Sequence, residues 1–179
     1  MMSSLLGGFG LLLPSLLSVF FIPFLVIYIL NKAKPTPDET SVGAKLFFLL
    51  LTSLCFQLLL IGFSMLFISI LIEMPDMTSK AAMGLITGAL VTGVYPVSSY
   101  IRKVRTGSNA VERQAAGVNA MITGLVFMVS TISLCVIIFT GVFGDDSAGV
   151  QEEPIKMLLV LTLVYLIGTF AASKFFIEE

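Results

Sequence analysis

Five long apolar stretches constrain the fold of this chain more than any other feature of its sequence. They cover approximately residues 11–30, 46–72, 81–101, 118–143 and 155–177. Each reaches the ~20 residues that an α-helix needs to cross the hydrocarbon core of a bilayer. A backbone in lipid must satisfy its own hydrogen bonds, so each stretch is expected to be helical. The sequence therefore predicts an all-α, polytopic membrane protein of about five transmembrane helices, in which residues 1–179 form a single transmembrane helical domain.

The composition excludes several classes of function. Charged residues make up 12% of the chain, whereas soluble domains carry about 25%. There is no histidine, so the commonest general base and metal ligand is missing. No phosphate-binding loop, metal-ligand spacing or activated nucleophile is recognisable in the sequence. We therefore expect no enzyme activity, no catalytic residues, no cofactor and no metal, and a net charge of −1 gives no overall attraction for nucleic acid.

The basic residues predict the orientation in the membrane. Only Lys80, before the third span, and Lys156, at the start of the fifth span, lie on one side of the membrane. The other eight of the ten basic residues lie on the opposite side: Lys32, Lys34, Lys45, Arg102, Lys103, Arg105, Arg113 and Lys174. By the positive-inside rule, the N-terminus is outside and the C-terminus is in the cytoplasm, matrix or stroma. The expected location is a bacterial inner membrane or an organellar inner membrane.

No Asp, Glu, Lys, Arg or His lies in the middle of any predicted span. Lys45, Glu73 and Lys174 lie at span ends, where long side chains are expected to reach the aqueous interface. Proton relays, voltage sensors and ion-coupled carriers usually place an ionisable group within the membrane. The sequence therefore argues against a pump.

Small residues recur at four-residue spacing and predict close helix packing. In lipid, helices associate through such residues, because they allow backbones to approach. The expected packing positions are Gly84, Gly88, Thr92, Ala116, Ala120, Gly124, Gly168 and Ala172. This pattern favours a non-catalytic structural or accessory subunit of a membrane complex, or a homo-oligomer. Its expected partners are lipids, other membrane subunits and further copies of the chain.

An alternative interpretation begins with the polar residues. Several of them share a helical face within a predicted span, and Gln57 lies near the middle of the membrane, where an unpaired amide is costly. Together they could line a wet path through the bundle: Gln57, Asn119, Thr123, Ser130 and Ser133. On this interpretation the chain is a small channel or carrier.

The third span and the loop after it carry further expectations. Pro96 has no N–H and leaves the carbonyl of Thr92 without its helical donor, which predicts a kink near these residues. Beyond the kink, a basic collar is a candidate contact for lipid headgroups or a partner: Arg102, Lys103, Arg105 and Arg113. Asn109 and Glu112 have capping-box-like spacing, so the fourth helix is expected to begin near Ala110.

The two cysteines are not expected to form a disulfide. Cys55 and Cys135 lie in different spans, at different predicted depths. A disulfide needs Cα atoms within about 7 Å of each other. We interpret both as small buried apolar residues.

Overall fold

A computed structural model describes residues 18–30, 42–73, 76–103, 110–143 and 152–177. These ranges form five helices and contain no strand, which confirms the all-α fold class. The helices are α1 (Ser18–Leu30), α2 (Val42–Leu71), α3 (Asp76–Lys103), α4 (Ala110–Phe143) and α5 (Glu152–Ile177). The expected start of the fourth helix near Ala110 is also confirmed.

Three helices are long and apolar enough to cross a membrane. They contain the segments Gly43–Leu71 of α2, Val111–Thr140 of α4 and Glu152–Lys174 of α5, whereas Ser18–Leu30 is a shorter apolar helix. Within the described residues, α3 is not among these three. The three long helices indicate a membrane protein, while the five-span topology and its orientation remain predictions.

The surface of α4 is typical of a helix in contact with lipid. Its side chains Met121, Met128, Ile132 and Phe139 are all about 60% exposed. Soluble monomers rarely expose contiguous apolar patches of this kind. In a bilayer, contact of the same side chains with acyl chains would have no hydrophobic cost.

The chain divides into two compact units, which are described separately. Unit 1 consists of Met1–Phe56 and Thr92–Ala115. In its described part, α1 buries a stripe at helical spacing, made by Phe20, Phe24 and Ile27. Val111 at the start of α4 is also fully buried. Such a spacing places the three α1 side chains on one face of that helix.

Unit 2 consists of Gln57–Val91 and Ala116–Glu179. Its core combines aliphatic side chains with very small ones at the helix contacts. The buried apolar residues in its described part are Leu60, Ile68, Ala82, Ala89, Val160, Val164, Tyr165 and Ala172. The many alanines and glycines allow the helix axes to approach closely, as expected for packing inside a bilayer.

The C-terminus of α2 ends in an unfavourable backbone conformation. The N–H of Ile72 donates to the carbonyl of Ile68 at 3.0 Å, and Glu73 then adopts a positive φ of 52°. This left-handed conformation is the common way to end a helix, but it favours glycine because other residues carry a Cβ. Glu73 also places a negative charge at the negative end of the helix dipole.

We therefore predict that Glu73→Gly stabilises the protein by up to about 1 kcal/mol, because glycine adopts this conformation without steric cost. Thermal unfolding in detergent measures the effect. Glu73→Ala is the matched control, since it removes the charge and retains the Cβ. An equal gain in stability in both variants would show that the charge of Glu73, and not its backbone conformation, destabilises the wild type.

Candidate functional site

The hydroxyl groups at the α4–α5 contact of unit 2 bond to protein atoms. The Thr162 hydroxyl donates to the Oγ of Ser130 at 3.2 Å, and the buried Ser130 hydroxyl donates to the carbonyl of Phe127 at 2.9 Å. The two hydroxyls therefore connect α5 to α4 and end on a backbone acceptor. Hydrogen bonds of this kind hold helices together in lipid.

The small-residue face of α4 also meets α5. A Cβ added to Gly124 would lie 3.8 Å from the Cγ2 of Thr169, which is an ordinary contact distance. The buried Thr123 donates its hydroxyl to the carbonyl of Asn119 at 2.8 Å. Three other expected positions on α4 are half-buried: Ala116, Ala120 and Ser133.

The closest helix approaches in unit 2 involve α2. A Cβ added to Gly168 of α5 would lie 2.7 Å from the Cδ1 of Leu60, and Ala172 one turn later is buried. A Cβ added to Gly62 would lie 2.7 Å from the Cγ1 of Ile86 on α3 and 3.3 Å from its backbone nitrogen. Glycine at both positions therefore allows α2 to contact α5 on one side and α3 on another.

Two buried polar side chains of α2 each leave one polar atom unsatisfied. Gln57 is 2% exposed and Ser64 is 3% exposed. The Nε2 of Gln57 and the Oγ of Ser64 have no hydrogen-bond partner. These residues are seven positions apart, so they lie on the same face of α2 on either side of Leu60. An unmet buried hydrogen bond costs about 1–3 kcal/mol.

Two glycines of α3 have open space where a Cβ would lie. A Cβ added to Gly84 would meet no atom within 4 Å, and the same holds at Gly88. Both residues are exposed, whereas Ala82 and Ala89 of the same helix are buried. We call Gly84 and Gly88 the glycine ridge. It lies on the surface of α3 that faces away from the core of unit 2.

Thr92 belongs to unit 1 and contacts α2 there. Its Oγ1 lies 3.5 Å from the Sγ of Cys55, within hydrogen-bond range for sulfur. A Cβ added to Gly93 would lie 3.4 Å from the Cβ of the same cysteine. Both cysteines are free thiols. Cys55 is half-buried, whereas Cys135 is exposed, although the sequence predicts a buried residue there. The helix α3 continues through Pro96 to Lys103, and the kink near Pro96 remains a prediction.

Little of the basic collar can be described. Arg113 is exposed on α4. Arg105 lies outside the described residues, and the structure describes the backbone of Arg102 and Lys103 but not their side chains. Lys45 differs from the expectation of an extended side chain, because it is only 1% exposed.

One residue of these contacts, Gly62, was missed from the sequence. It could have been found as a small residue within an apolar helix, since such residues let membrane helices approach each other closely. Ser64 shares a helical face with Gln57, and that spacing is visible in the sequence. Nothing in the sequence distinguishes a buried Lys45 from one that extends to the interface.

The contrast between Gly62 and Gly84 gives a direct prediction. Gly62→Ala should destabilise the protein, by about 1–3 kcal/mol, because the added methyl overlaps the stiff, β-branched Ile86. Gly84→Ala should leave the isolated chain unchanged or stabilise it by up to about 1 kcal/mol, since alanine is the better helix former. Unfolding in detergent measures both changes, and equal effects at the two positions would contradict the packing described here.

No protein-family model, curated protein or solved structure matches this chain. Its function must therefore be argued from the contacts themselves. The features that carry such an argument are the glycine ridge and the unsatisfied polar atoms of Gln57 and Ser64.

Proposed function

We propose that the chain is a non-catalytic subunit of a membrane assembly, and that it associates through the glycine ridge with a second copy of itself or with another membrane protein. The single observation that carries this proposal is the open surface beside Gly84, where an added Cβ would meet no atom within 4 Å. Gly88 continues the same surface by one helical turn. Glycines at this spacing are a recurrent contact face between membrane helices.

The other glycines of unit 2 support this interpretation. Gly62 and Gly168 are buried against Ile86 and Leu60, and a Cβ at either would come within 2.7 Å of its neighbour. Glycine is therefore required there by contacts within the chain. At Gly84 an added Cβ would meet no atom of the described residues within 4 Å, although glycine costs about 1 kcal/mol relative to alanine within a helix. A contact with another helix in the membrane would account for that cost.

The position of the ridge around α3 also favours an external partner. At about 100° per residue, Gly84 lies roughly 140–160° around the helix from the buried Ala82 and Ala89. The buried alanines contact the core of unit 2, so the ridge is directed outward. Because lipid and protein interior are equally apolar, helices associate here through close van der Waals contact. Gly84 and Gly88 lie one helical turn apart and provide the flat surface that such contact needs.

Bulky substitution on the ridge should disrupt association. We predict that the double variant Gly84→Leu with Gly88→Leu weakens self-association or partner binding by about tenfold or more, equivalent to about 1.4 kcal/mol, because the leucines separate the two backbones. Förster transfer between labelled chains, measured in bilayers over a range of protein-to-lipid ratios, reports self-association. Co-purification from the native membrane reports a different partner.

Leu90→Phe is the matched control, because Leu90 is 53% exposed on the same helix and lies about 120° or more around it from both glycines. This variant should associate like the wild type. If the double variant and the control behave alike, or if the wild type remains monomeric and alone at high density in the bilayer, the ridge is not a contact surface.

A second candidate function, a small channel or carrier, is favoured by Gln57 and Ser64. Their unsatisfied atoms lie on one buried face of α2. A path through the bundle would supply water or a polar solute to these atoms. Against this, Ser130 and Thr162 bond to protein atoms at the α4–α5 contact and do not need a wet path.

The variant Gln57→Met distinguishes the structural subunit from the channel or carrier. If α2 remains packed against its neighbours, the variant should be more stable by about 1 kcal/mol, because the unsatisfied amide is removed while the side-chain volume is kept. It should leave the permeability of liposomes to water and small solutes unchanged from the wild type. A loss of stability together with altered solute flux would instead support the channel, and Ser64→Ala should then change the flux in the same way.

A further inference from the structure

We draw no further inference here: the strongest candidate, the outward surface of α3 at Gly84 and Gly88, belongs to the contact face already described, and nothing in the described part of the chain shows what covers it.

Discussion

The structure depends on one constraint, which is that a polar group surrounded by lipid must find its hydrogen-bond partner within the protein. Many hydroxyls of the described residues meet it locally. Thr131 donates to the carbonyl of Phe127 at 2.8 Å, and Thr140 donates to that of Val136 at the same distance. Because each bond closes within one turn, a helix can carry such residues on any face. Hydroxyls alone therefore do not indicate a lumen. The polar residues that share a helical face in the sequence are compatible with packed helices.

The exceptions to this constraint are informative because they are few among the described residues. Examples are the Nε2 of Gln57 and the Oγ of Ser64 in unit 2 and the Nζ of Lys45 in unit 1, each of which is buried without a hydrogen-bond partner. A buried amide or hydroxyl can be satisfied by an ordered water, which is why Gln57 and Ser64 favour only a second candidate function.

Much of the fold could be predicted from the sequence. Which face of each helix packs against another helix, and which is left open, could not. Length and hydropathy predict helices, and the Asn109–Glu112 spacing predicts the start of α4. The predicted packing positions Gly168 and Gly124 face neighbouring helices of unit 2, whereas a Cβ added to Gly84 or Gly88 would lie in open space. Lipid and protein interior have similar polarity, so the hydrophobic pattern does not distinguish a face toward lipid from one toward protein. The burial of Lys45 was unpredictable for the same reason, since a lysine at a span end satisfies the pattern in either position.

The central claim is that the outward face of α3 contacts another helix in the membrane. Cross-linking in native membranes tests it most directly, using single cysteines at Gly84 or Leu90 in a chain with Cys55 and Cys135 replaced by alanine. The account predicts that a short thiol-reactive cross-linker joins the chain at position 84 to a second copy or to one defined larger partner, and does so far less at position 90. Equal cross-linking at the two positions, or none at position 84, would contradict it.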